Sequence, residues 1–162
     1  MKKLLITMVF AVIITGTAFA QHPKGTGIGG MWTGSYWWGS HYGGAALTLK
    51  FAKNPLFWAI QAHGWEGGVY IAVSGDKYFI DQALVKEAGL GWYFGIGGYV
   101  GLTLADPANA HFGARLPVGL SWMPVKFFEI FLGLTPSLGI NLNPFYFPTF
   151  GVPLELGIRV WF

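Results

Sequence analysis

The sequence predicts an all-β fold: an eight-stranded antiparallel transmembrane up-and-down β-barrel that follows a cleaved signal peptide. Apolar and mixed positions alternate with period 2 along several segments, as in strands with two unlike faces. Of the 162 residues, 53% are hydrophobic and only 10% are charged, against about 25% charged in soluble domains. After residue 20, no uninterrupted apolar run of about 18 residues could span a membrane as a helix. A closed barrel is then the remaining way to satisfy every backbone group in lipid.

The first twenty residues have the organisation of a secretory signal peptide. Lys2 and Lys3 give a positive start, an apolar stretch covers 4–14, and Ala18-Phe19-Ala20 forms an A-x-A cleavage site. We expect a signal peptide at 1–20 and one barrel domain at 21–162; an uncleaved anchor helix is the alternative. Removing both lysines leaves eight basic and seven acidic residues, a net charge of +1, which leaves no nucleic-acid footprint. The absence of cysteine excludes a lipid-modified cysteine and any disulfide.

The final ten residues show the alternation most clearly. Leu154, Leu156, Ile158, Val160 and Phe162 share one face, and both charges lie on the other. Seven further strands follow the same rule less regularly, which gives an even number, as single-chain bacterial barrels have. The predicted strands cover about 25–34, 45–51, 56–63, 69–76, 89–102, 111–122, 126–134 and 153–162. The stretches 35–44, 64–68, 105–109 and 136–150 are predicted to be loops. Segment 77–88 is assigned no structure.

Six charged residues of the strands fall on the face opposite the apolar one. A charge on a lipid-facing position would cost about 2–4 kcal/mol at the bilayer midplane, so the charged face should line the lumen. We predict a charge network there, in which basic and acidic side chains balance. It could form a gate or narrow ion path, or simply fill an interior only wide enough for side chains. The network comprises Lys50, Asp76, Arg115, Glu129, Glu155 and Arg159.

Aromatic residues concentrate near the predicted strand ends, as in the interfacial girdles of membrane proteins. A soluble β-sandwich is the alternative, with the apolar faces as its core. The predicted outer loops carry further polar and aromatic side chains that could contact host or environmental ligands. These are Trp37, Trp38, His41, Tyr42, Asn143 and Tyr146.

The sequence contains no clear pattern of metal ligands or catalytic residues. The four histidines have no metal-ligand spacing. Ser74, Ser121, His63, His111 and Asp76 could supply a serine, histidine and acid set, but their spacing indicates no constellation. We therefore predict no enzyme activity, no catalytic residues, no metal and no cofactor.

The second half resembles a known family. The carrying motifs are Tyr93-Phe-Gly-Ile-Gly-Gly98, Gly113-Ala-Arg-Leu-Pro-Val-Gly-Leu120, Phe128-Glu-Ile-Phe-Leu132 with Pro136-Ser-Leu-Gly139, and Gly157-Ile-Arg-Val-Trp-Phe162. They are similar to those of small uncharacterised outer-membrane proteins of spirochaetes, which in turn are similar to the OmpA/OmpX type of barrel. The resemblance covers about 90–162 well and 25–75 loosely. It implies an eight-stranded barrel in the bacterial outer membrane and no settled activity.

A terminal aromatic residue such as Phe162 also resembles the signal that barrel-assembly machinery reads in outer-membrane proteins. The sequence thus predicts a non-enzymatic outer-membrane barrel with a polar, packed lumen, in contact with outer-membrane lipid and with an envelope-structural or surface-interaction role. A narrow pore for ions or small solutes is the alternative, and a lipid-modifying enzyme is a third class.

Overall fold

The computed structural model describes residues 22–37 and 40–162 of the chain, without the side chains of 35–42 and 65. Every regular element among them is a β-strand, because alternating positions give each segment one apolar and one mixed face. The strands are β1 (Gly27–Trp37), β2 (Ser40–Lys50), β3 (Leu56–Trp65), β4 (Gly68–Val85), β5 (Leu90–Leu104), β6 (Asn109–Arg115), β7 (Val118–Val125), β8 (Phe128–Leu134), β9 (Ser137–Leu142), β10 (Phe145–Gly151) and β11 (Leu154–Trp161).

These segments form a closed barrel of eight antiparallel strands, which confirms the predicted fold class. β1 to β5 are five barrel strands, and the pairs β6–β7, β8–β9 and β10–β11 each run on as one more. Closure is made by β1 against β11, from Gly27 opposite Trp161 to Gly34 opposite Leu154. The lead-in to β1 and the last residue lie at one end of the barrel, called here the terminal end; the opposite end is called the open end.

Three prolines interrupt the last three barrel strands at one level. Pro117, Pro136 and Pro153 separate the paired segments, since proline has no N–H to give to a ladder. Their carbonyl oxygens still accept hydrogen bonds from the neighbouring strand: from Gly95 N at 2.9 Å, Leu116 N at 2.8 Å and Thr135 N at 2.9 Å, respectively. The wall therefore stays connected across the interruptions.

The two faces of the wall differ sharply. Outward positions carry large apolar side chains left exposed, such as Leu132 at 45% and Leu156 at 48%. Inward positions carry a small apolar core of Met31, Ala46, Ala59, Tyr93 and Phe131. The buried charges also lie on this face, so the predicted segregation of charge is present.

Two stretches predicted to be loops are strands instead. The predicted 35–44 loop is a hairpin in which Ser35 pairs with Tyr42 and Trp37 with Ser40. The predicted 136–150 loop is the hairpin of β9 and β10, whose turn lies between Leu142 and Phe145. Glycine, asparagine and proline suggested loops, but Gly139 leaves room for the Tyr99 ring. Pro136 lies at an interruption, Pro144 in a turn and Pro148 at a register shift within β10.

Segment 77–88, left open by the sequence, mostly continues β4 with irregular pairing after Tyr78 and Ala83. Outer-membrane barrels generally have short turns at one end and longer loops at the other, but the described connections at the open end are also short, as at Glu66–Gly67. The predicted signal peptide at 1–20 lies outside the described residues. Within the described chain, no helix has the length and apolarity needed to cross a membrane.

Candidate functional site

The lumen contains two separate groups of charges. In the middle of the barrel, Arg115 from β6 donates from Nη2 to Glu155 Oε1 at 2.6 Å. Its Nε lies 2.9 Å from Asp76 Oδ1. All three side chains are at most 9% exposed. The Arg115 guanidinium therefore connects strands β4, β6 and β11. Its two short contacts to carboxylates give the close geometry that buried ion pairs require.

The second group fills the terminal end and is called here the plug; it consists of His22, Glu129, Arg159 and the rings around them. Glu129, fully buried, accepts from Arg159 Nη1 and Trp161 Nε1, each at 2.8 Å. Its other oxygen lies 2.8 Å from His22 Nε2. Arg159 also donates to Thr48 Oγ1 at 2.8 Å. Every charge in the plug thus has a partner.

His22 enters the barrel from the segment before β1. Its Nδ1 lies 2.8 Å from Asp81 Oδ1, opposite the contact to Glu129. Burial alone would lower the pKa of His22, but the Glu129 and Asp81 carboxylates, which also hydrogen-bond its ring, raise that pKa from 6.5 to about 9. His22 is consequently an imidazolium at neutral pH.

Four aromatic rings enclose this imidazolium, with centroids 5.1 to 5.9 Å away. The rings also contact one another. Phe57 stacks on Tyr78 and Tyr78 on Tyr93, with centroids 4.1 and 4.5 Å apart, and Trp161 meets Phe57 edge-on at 6.3 Å. The rings are those of Phe57, Tyr78, Tyr93 and Trp161.

The structure thus brings five of the six predicted network residues into two ion-pair groups, and Lys50 joins neither. Its Nζ donates to the Phe51 and Asn54 carbonyl oxygens at 2.9 and 2.6 Å. The expectation that an acid balances Lys50 is wrong, because the lysine lies beside the β2–β3 turn, where carbonyl oxygens are nearer. His22 was missed by the sequence reasoning, since its partners are 59 and 107 residues away and no local pattern marks it.

Above the middle charges, towards the open end, the lumen widens into a cavity of about 870 Å³, called here the cup. Residues of all eight barrel strands line it, and Arg115 and Glu155 belong to its floor. Its volume falls in the range of small-molecule pockets, about 300–1,000 Å³. The lumen is therefore sealed by packed side chains at one end and hollow at the other.

An arc of four rings stands on the wall of the cup. His63 lies 4.8 Å from Tyr70, Tyr70 lies 5.0 Å from His111, and His111 lies 6.2 Å from Tyr99, measured between ring centroids. A glycine makes this contact possible: a Cβ at Gly101 would collide with His111 and Tyr70. The sequence reasoning named His63 and His111 only as catalytic candidates and did not predict the arc.

The candidate catalytic residues lie in different surroundings, with Ser74 buried in the wall of the cup. Ser121 is completely buried and its hydroxyl has no hydrogen-bond partner within the described part of the chain. Asp76 is paired with Arg115, and His63 and His111 both contact Tyr70. No cluster of three or more metal-binding side chains occurs among residues 22–37 and 40–162.

The predicted surface residues have mixed positions. Trp37, His41 and Tyr42 lie in the β1–β2 hairpin rather than in a loop, and Trp38 lies outside the described residues. Tyr146 is a strand residue of β10, 58% exposed. Asn143 does lie in a turn, where its Nδ2 donates to Ala108 O at 3.0 Å.

Phe162 is 79% exposed. Its backbone N–H donates to Thr26 O at 2.8 Å and its carbonyl oxygen accepts from Thr26 N at 3.1 Å. The last residue is therefore fixed by its backbone while its ring projects outward.

Comparison with known proteins adds the fold and nothing finer. No protein-family model and no curated protein sequence matches the chain. Among solved structures, the chain is similar to Neisserial surface protein A, with a TM-score of 0.50 and 13% sequence identity over 85% of this chain and 96% of that one. The chain thus shares its fold with a small surface protein, and the comparison does not support the spirochaete-type assignment.

Proposed function

We propose that the protein is a non-enzymatic barrel of the bacterial outer membrane, with a sealed lumen and an open end that faces the outside. One observation carries the proposal: large apolar side chains surround the wall, while charged side chains face the lumen. These outward side chains form an apolar belt around the wall. A soluble protein would not expose such a belt, because soluble monomers rarely have exposed apolar patches larger than a few hundred Å². Lipid is the solvent that matches it.

The plug supports a structural role over a pore. Glu129 is 0%, Tyr93 2% and Arg159 3% exposed. Ions crossing this layer would have to break the hydrogen bonds that join His22, Glu129 and Arg159. At the level of the plug, the interior of an eight-stranded barrel is narrow enough for side chains to fill it.

The surface role draws on two supports. Neisserial surface protein A, to which the chain is similar, is a surface protein by name. The open end of this chain presents exposed aromatic side chains on β10, including Phe145 at 74% and Phe147 at 56%. Host or environmental ligands are the expected partners there, outer-membrane lipid contacts the belt, and barrel-assembly machinery reads Phe162. The signal peptide and the spirochaete-type kinship remain predictions from the sequence.

Membrane fractionation combined with planar-bilayer recording tests this proposal. The protein should occur in the outer-membrane fraction of expressing bacteria, and purified barrel should give no stable conductance steps. Discrete steps that change when Arg115 or Arg159 is neutralised would establish the pore instead. Altered lipid A or phospholipid in mass spectra of expressing cells would reveal an enzyme.

A further inference from the structure

The cup has the chemical character of a binding site rather than of a packing defect. Half-buried rings, amides and hydroxyls line it together, and Gln61, Asn109 and Asn141 supply the amides. Thr135, which also lines the cup, is 1% exposed and its hydroxyl has no partner among the described residues. A buried hydroxyl without a partner costs free energy unless a ligand or water satisfies it.

Two glycines, Gly101 on β5 and Gly139 on β9, leave the space that the ring arc occupies. A Cβ at Gly101 would meet His111 and Tyr70, and a Cβ at Gly139 would meet the Tyr99 hydroxyl. Any larger residue at 101 would push the rings apart and reduce the cup. The arc therefore depends on specific small residues, which connects the shape of the cup directly to the sequence.

The charges of the floor are already paired with one another. Arg115 is within 2.9 Å of Asp76 and 2.6 Å of Glu155. Among the described side chains that line the cup, Arg115 and Glu155 are the only arginine, lysine, aspartate or glutamate residues. A strongly anionic ligand would thus find no unpaired arginine or lysine in the described wall.

We propose that the cup binds a neutral sugar ring from the outer side, with the ring stacked on the His63–Tyr70–His111–Tyr99 arc and its hydroxyls bonded to the amides and to Thr135. The faces of aromatic rings carry partial negative charge, which attracts the C–H groups on one face of a sugar. Amides and hydroxyls both donate and accept, as a polyhydroxylated ligand requires. The orientation rests on the proposed function, in which the open end faces outside.

The sugar could belong to a free saccharide or to the headgroup of a glycolipid. The pairing of β1 with the last barrel strand ends at Gly34 opposite Leu154, and β10 pairs with β9 along its other edge. Among the described residues, β10 and the part of β1 beyond Gly34 are not paired with each other. Gly34 and Gly151, which have no side chains, face the cup on either side of this unpaired part of the wall. A chain attached to the sugar could leave through the wall here.

Saturation-transfer NMR on full-length protein, extracted from expressing bacteria into a sugar-free detergent, tests the proposal. The probes are glucose, N-acetylglucosamine and maltose as free sugars, and octyl glucoside as a headgroup with a chain. Tyr70→Ser removes a stacking surface, and Gly101→Val fills the cup. Phe127→Ser is the control, because Phe127 is exposed in the turn before β8, at the terminal end, and does not line the cup. Heat-modifiability on a gel verifies the folding of each variant.

We expect transfer to at least one probe in wild type and in Phe127→Ser, and a Kd at least about tenfold weaker in Tyr70→Ser, which corresponds to about 1.4 kcal/mol. Binding of free sugar identifies a saccharide ligand; variant-sensitive binding of octyl glucoside alone identifies a glycolipid headgroup. Tyr70→Ser adds no bulk and decides the test if Gly101→Val does not fold. No transfer to a correctly folded barrel, or equal transfer in Tyr70→Ser, overturns the sugar site and leaves the barrel intact. A wild type without heat-modifiability refutes the proposed function itself.

Discussion

Placing one arginine at two heights on the same barrel strand tests whether the apolar belt contacts lipid. Leu132 and Leu142 both face outward, at 45% and 50% exposure. Ten residues of strand rise about 34 Å, and a tilt of about 40° reduces this to about 26 Å along the barrel axis. The apolar band of such barrels is about 25 Å tall. Leu132 should therefore lie deep in the belt and Leu142, beside the β9–β10 turn, outside it.

Leu132→Arg should cost about 2–4 kcal/mol and Leu142→Arg about 0–1 kcal/mol. The first range corresponds to a change of about 30- to 900-fold in the folding equilibrium, at 1.36 kcal/mol per tenfold. The assay is guanidinium unfolding of protein reconstituted in lipid vesicles, followed by tryptophan fluorescence. Equal losses at the two positions, or a loss at Leu132 below about 0.5 kcal/mol, would refute a lipid-facing belt.

Three further predictions concern the interior. Glu129→Ala should lower the free energy of unfolding by about 3–5 kcal/mol, because it leaves Arg159 and His22 without their shared carboxylate; Glu87→Ala in an exposed turn is the control, and equal small losses would contradict the plug. The raised pKa of His22, about 9 against 6.5 unfolded, means that its stabilisation is complete below about pH 6.5 and is lost as pH rises through about 9. Unfolding midpoints at about pH 6 and 10 should show this loss in wild type and not in His22→Gln; an identical loss in both would assign it to other groups. Gly119→Ala should cost about 1–3 kcal/mol in the same unfolding assay, because its Cβ would meet the Tyr93 hydroxyl and Leu132 O. Gly30→Ala is the control, since a Cβ at Gly30 meets nothing within 4 Å. Comparable losses in the two variants would argue against a packed lumen.

The parts of the fold that depend on alternation could be predicted from the sequence. Period 2 identifies the two faces of a strand wherever one faces lipid, so the inward positions of Arg115, Glu129 and Arg159 were predicted correctly. The strand number was also predicted, although the last three barrel strands are each longer than expected. Pro136 was read as loop punctuation and Pro153 as the start of the last strand, yet the carbonyl oxygens of both prolines accept hydrogen bonds from N–H groups of the neighbouring strands.

The site depends on contacts that no local pattern specifies. His22 lies before the first strand and contacts β4 and β8, which pairing of the barrel brings to it. Lys50 has the parity of a lumen charge, but its long side chain reaches the nearby turn instead. The ring arc spans four strands whose register sets it, because Gly101 lies opposite both His111 and Ala72. Registers of this kind follow from closure of the whole barrel rather than from any one segment.

Electrophoretic mobility before and after boiling, with circular dichroism alongside, tests the central claim most directly. A closed barrel that resists detergent should migrate differently unboiled and boiled, should give a strong β signal, and should need detergent or lipid to stay in solution. A protein that shows no mobility shift and remains soluble without detergent would contradict the account, since its apolar face would then have to be covered by protein rather than by lipid.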